Sequence, residues 1–108
     1  MRPTTWNDAN GVQFVIDTPL PSVVRHELRE QAQRFLDRYR RHGGSGQLVV
    51  HVKRVGPQVG CHVHLFADRE NQHGFETDWD VRRALDSTLA GIETRLQQQH
   101  ERRSDASA

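Results

Sequence analysis

Apolar and polar residues alternate in VQFVID, with Val12, Phe14 and Ile16 set against Gln13 and Asp17. That two-residue period predicts a half-buried strand, and the TPLP that follows closes it. From Pro21 the period lengthens: Val24, Leu28, Ala32, Phe35 and Tyr39 recur at spacings of four and three. This is one apolar stripe on a helix of about five turns, with Pro21 suited to its first turn. GGSG at 43–46 ends the helix, and QLVVHVKRV then reads as a strand with Leu48, Val50 and Val52 on one face. After the turn GPQVG, CHVHLFAD places Cys61, Val63, Leu65 and Ala67 on one side and His62, His64 and Phe66 on the other. The turn RENQHG leads to FETDW, where Phe75, Thr77 and Trp79 alternate with Glu76 and Asp78 in a fourth strand. Asp80 is placed to cap a second helix, whose stripe is Val81, Leu85, Leu89, Ile92 and Leu96.

The predicted class is therefore α+β, in the order β-α-β-β-β-α. Two helices with one apolar stripe each must bury those stripes together, so both are expected on one face of a four-stranded sheet, leaving the other face open. The domain is expected to span residues 12–99. Residues 1–11 lack a period and read as an irregular arm with Trp6 folding back, and 100–108 as a flexible tail.

A chain of 108 residues suits one core. With 34% hydrophobic residues and a mean hydropathy of −0.81, that core must come from the patterned segments. No apolar run approaches the roughly 20 residues of a membrane span, and the first residues lack the apolar stretch of a signal peptide. A soluble, cytoplasmic protein is expected, and the lone Cys61, which has no disulfide partner, fits a reducing compartment.

The net charge is only +1, yet 14 of the 15 basic residues are Arg. The planar donor fork of Arg suits phosphate oxygens and stacking on bases, although a G- and C-rich coding sequence produces the same bias. On the first helix the Arg residues form two stripes. Arg34, Arg38 and Arg41 share a face with Glu27, Glu30 and Asp37, and Glu30–Arg34 and Asp37–Arg41 have the favourable i,i+4 order. Arg25, Arg29 and Arg40 lie on the other flank, the first two with no acid at helical spacing, which makes these three the better phosphate ligands. Lys53, Arg54, Arg82, Arg83 and Arg95 are candidates to extend the surface. Asp68, Glu70, Glu76, Asp78 and Asp80 crowd the other end, where they would repel RNA and orient docking.

Particular residues add to this pattern. The first helix, VVRHELREQAQRFLDRY, supplies Arg25, Arg34-Phe35 and Tyr39, and the second, DVRRALDSTLAGIETRL, supplies Asp80, Ala84, Leu85, Asp86, Ile92 and Leu96. In these positions, and in the order of its elements from about Val12 to Gln99, the chain resembles the ribosome hibernation-promoting factor family, which includes ribosome-associated inhibitor A. It departs from the family pattern at Arg82, where the family has Tyr, and at Gly91, where it has a basic residue. The resemblance implies a translation inhibitor that binds the small ribosomal subunit through 16S ribosomal RNA and blocks the messenger and transfer RNA channel under stress or in stationary phase. It implies action by occupancy, with no catalysis, cofactor or small-molecule substrate. Structured RNA would be read by backbone and shape, because an A-form duplex hides its base edges.

Other readings keep some footing. His51, His62 and His64 are expected on the open face of neighbouring strands, where three imidazoles could hold Zn if the hairpin register brings them together. An enzyme built on Cys61 and a histidine is disfavoured, since strand alternation turns the thiol and the imidazoles to opposite faces. There is no nucleotide-binding glycine loop, and GGSG lacks the strand-turn-helix setting of a nucleophile elbow. A divergent RNA-binding or protein-interaction module of the same fold, without ribosome binding, is the remaining reading.

Overall fold

A computed structural model describes residues 4–7, 11–41, 45–67 and 70–106. Its elements are β1 (Thr4–Asn7), β2 (Val12–Ile16), α1 (Ser22–Arg41), β3 (Gly46–Val55), β4 (Gln58–Ala67), β5 (Asn71–Asp78) and α2 (Val81–Ala106). The predicted β-α-β-β-β-α order and α+β class hold from β2 onward.

The strands lie in the order β1-β2-β3-β4-β5. β2 and β3 run parallel, joined by α1 as a crossover, and the remaining neighbours are antiparallel. A crossover places its helix on a sheet face, so α1 covers β2 and β3 while α2 covers β4 and β5 beside it. Between helices and sheet lie Val12, Phe14 and Ile16, then Leu28, Ala32, Phe35 and Leu36, then Leu48, Val50, Val52, Cys61, Val63 and Leu65. The α2 stripe of Val81, Leu85, Leu89, Ile92 and Leu96 closes the core, joined by Ala84 and by the buried Thr88. The hydroxyl of Thr88 is satisfied there, donating to the carbonyl of Ala84 at 2.7 Å with that of Cys61 at 3.2 Å.

Local chemistry sets the boundaries. Val55 pairs with Gln58, so the β3–β4 hairpin turns on two residues, and Gly56 takes the positive φ of 60° that a primed turn requires at its first position. The predicted turn GPQVG is thus shorter than expected, with Gln58, Val59 and Gly60 already in β4. Asp80 caps α2 as expected: its Oδ1 accepts from the Arg82 amide at 2.9 Å, and its carbonyl accepts from the Ala84 amide at 3.0 Å.

Three expectations are corrected. The arm at 1–11 contains β1, which pairs with β2 from Thr4↔Ile16 to Asn7↔Gln13 and makes a fifth, edge strand. The side chain of Trp6, expected to fold back, lies outside the described residues, as does Asp68. α2 continues through the start of the expected tail to Ala106, and His100 Nε2 lies 2.8 Å from Glu70 Oε1, which ties this last part of the helix to the start of β5. β5 begins at Asn71, inside the expected turn RENQHG, and its exposed Phe75 lies on the face away from the helices. The reason is space. α2 passes so close over β5 that a Cβ at the inward position Gly74 would lie 3.1 Å from both Thr88 Cγ2 and Arg95 Nη2. Gly74 fits there and a large ring does not.

Candidate nucleic-acid interface

The helical layer divides the predicted basic residues into groups. Along the seam between the helices, opposite charges interlock. Arg82 Nη1 donates to Glu27 Oε2 at 2.9 Å, its Nε donates to Asp80 Oδ1 at 3.2 Å, and Arg38 Nη2 lies 3.7 Å from Glu93 Oε2. Gln31 Nε2 adds a bond of 3.2 Å to the Arg82 carbonyl. Asp80 is held below the usual carboxylate range, chiefly by its hydrogen bonds from Arg82, whose own guanidinium is correspondingly held in the charged form. Arg82 therefore works as a helix-to-helix latch, and a phosphate would have to compete with two carboxylates for it.

The expected i,i+4 pairs on α1 are not the ones formed. Glu30 pairs with His26 at 3.2 Å, and Asp37 Oδ1 accepts from Gln33 Nε2 at 2.9 Å. Arg34 and Arg41 are exposed, and their expected acids are turned to other partners. On the opposite flank, away from α2, stand Arg25, Arg29 and Arg40. Arg40 is anchored by donation to the Gly46 carbonyl at 2.9 Å and lies over Gly11, where φ is 94° and a Cβ would collide with the guanidinium. Arg25 is half-buried beside the core and Arg29 is exposed. This flank carries three guanidinium groups, and the α1 carboxylate at helical spacing from one of them, Asp37 three residues before Arg40, accepts a hydrogen bond from Gln33.

The other candidates are dispersed. Arg83 is exposed on α2, while Arg95 donates to the His73 carbonyl and lies against β5. Arg54 is exposed near the end of β3. Lys53 projects from the open sheet face, its ammonium 5.4 Å from the centroid of the Phe75 ring, so it does not extend the helical surface. Gly91 is exposed, and a side chain added there would meet no atom within 4 Å.

Of the acids expected to crowd one end, Glu70 links both helices, accepting from the Tyr39 hydroxyl at 3.0 Å and pairing with His100.

His51, His62 and His64 do share the open face, and the extended β5 brings a fourth imidazole, His73, which pairs with His64 in the register. The Nε2 of His51 is engaged by the Asp17 carboxylate. Among the described residues no three ligating side chains are arranged to hold a metal ion. Cys61 is buried on the other side of the sheet, where burial pushes its thiol up to about 12. The sheet thus separates thiol from imidazole. His73 was missed because NQHG reads as turn chemistry. Only continuing the alternation of FETDW backward would have put it beside His64.

The described residues thus define a two-helix α+β domain with an arginine-bearing helical layer and an open sheet face. One solved structure it resembles is the N-terminal domain of Protein Y from Thermus thermophilus, with a TM-score of 0.63 and 19% sequence identity, over 77% of this chain and 91% of that one. At the level of the fold, the resemblance to the ribosome hibernation-promoting factor family therefore stands. No family model and no curated protein matches the sequence. Among the described residues no helix is long and apolar enough to cross a membrane.

Proposed function

We propose that the domain is a ribosome-associated translation inhibitor that binds 16S ribosomal RNA of the small subunit. By occupying the channel used by messenger and transfer RNA, it would silence ribosomes in stressed or resting cells. The mode of action is occupancy in the cytoplasm, without catalysis or cofactor. The observation that carries this reading is the outer flank of α1, where Arg25, Arg29 and Arg40 stand together, apart from the neutralised seam between the helices. Guanidinium groups grouped in this way suit the phosphate oxygens of structured RNA. The fold shared with Protein Y, and the residues shared with the hibernation-factor pattern, support the same reading.

Pelleting ribosomes from growing and starved cells at low salt tests the proposal. The protein is expected in the small-subunit fraction. Its absence from that fraction in both conditions would overturn the reading.

Arg82 and Gly91 favour a second reading, in which the same fold serves another RNA or a protein. The bare surface at Gly91 lacks a basic contact that the family pattern supplies, and the latch on Arg82 ties up the guanidinium that stands in place of the family's Tyr. Crosslinking to RNA in cells separates the two, because the bound fragments are either small-subunit ribosomal RNA or something else.

A further inference from the structure

The open face of the sheet carries a set of rings that the helical surface does not use. Along β4, the Phe66 and His64 rings stack at 5.0 Å with 24° between their planes, and His62 follows 5.3 Å from His64. From β5, His73 lies 5.3 Å from His64, and Phe75 stands edge-on 6.1 Å from His62. Phe66 is 46% exposed and Phe75 44%. Phe75 has a seat: a Cβ at Gly60 would come within 2.7 Å of its ring, so the absence of a side chain there lets the ring lie down on β4. Lys53 reaches over the same ring.

The formal cation of this face is Lys53, and its imidazoles add ring N–H donors. Lys53 and the imidazoles of His51, His62, His64 and His73 project from it. Among the described residues the carboxylate on this face is Asp17, and it is engaged by His51. The mutual influence is visible at His62, whose proton affinity is lowered first by burial and then by His64, His73, Lys53 and His51. A second copy of the chain docked face to face would set Lys53 and these donors against a surface of the same kind. A polyanion that also presents flat π-surfaces matches both the charge and the rings.

We propose that this face is a stacking platform for unpaired RNA, with bases lying on Phe66, His64 and Phe75 and phosphates meeting Lys53 and the imidazoles. Every base has a π-face, so stacking of this kind tolerates any sequence, while cations beside the rings hold the backbone. The platform is separate from the α1 flank and does not depend on ribosome binding. A chain with both surfaces would hold structured RNA on its helices and a single strand on its sheet.

The test uses the full chain and fluorescein-labelled oligouridylate and oligoadenylate of twelve nucleotides, followed by anisotropy at low salt. Wild type is expected to bind both oligonucleotides. Phe75→Leu, which keeps apolar volume and removes the ring, and His64→Ala are each expected to weaken binding about 5- to 100-fold. Circular dichroism and urea unfolding report whether each variant remains folded. Arg25→Glu with Arg29→Glu is expected to keep most of the single-strand binding, so that failure here is distinct from failure on the ribosome. Absence of single-strand binding, or unchanged binding in folded Phe75→Leu and His64→Ala, overturns the proposal. Self-association of the wild type that these same variants abolish also overturns it, since the face would then be covered by a second copy.

Discussion

At the scale of single residues, the histidines show how neighbours set chemistry. His62 sits among His64, His73, Lys53 and His51, and its affinity for a proton is lowered relative to the ordinary value of 6.5, first by burial and then by that positive company. The unfolded chain releases it from those neighbours, so below pH 6.5 the unfolded state binds more protons than the native one. Stability then rises with pH through this range and falls as the solution is acidified. Urea midpoints measured between pH 7.5 and 5.5 are expected to drop toward the acid side, and His62→Gln is expected to flatten that drop. An equal slope in the variant would show that His62 does not cause it.

At the scale of elements, α2 is built from a strong start and a weak middle. The Asp80 cap and the Arg82 latch fix its first turn, whereas Gly91 leaves a bare exposed position near its centre. Glycine inside a helix costs about 0.5–1 kcal/mol relative to Ala, and nothing within 4 Å opposes a longer side chain here. Gly91→Lys is therefore expected to raise stability by about 0.5–1 kcal/mol in urea unfolding. On the proposed function it also restores a basic position, so ribosome affinity should increase. Stabilisation without any gain in affinity would place α2 outside the contact surface.

The helices and the central strands were legible because each carries a clean period. Leu28, Ala32 and Phe35, and Val81 to Leu96, are buried as their stripes require, and Leu48, Val50, Val52, Cys61, Val63 and Leu65 alternate as predicted. The edges of the sheet were not legible, for physical reasons. β1 is the four residues TTWN, too short to show a period and defined by its pairing with β2. In β5 the inward positions are Gln72 and Gly74, so the side that normally reads as apolar is occupied by a polar and a small residue under a closely passing helix. The arginines were identified in sequence, but their engagement was not, because the Arg82–Glu27 pair joins residues 55 apart.

For the whole molecule, the net charge of +1 conceals separated surfaces. The helix seam is internally neutralised, the outer flank of α1 is basic, and the opposite sheet face combines imidazoles with aromatic rings. Binding that depends on the α1 flank must release counterions from RNA, so the logarithm of the affinity should fall linearly with the logarithm of salt concentration. The most direct measurement is equilibrium binding of purified protein to purified small subunits across a salt series, with wild type compared to Arg25→Glu with Arg29→Glu. The account predicts saturable wild-type binding at low salt. It also predicts weaker binding by the folded double variant, with a salt slope smaller by about one for each phosphate contact removed. Wild-type binding that is absent at low salt, or retained in full by the variant, would contradict it.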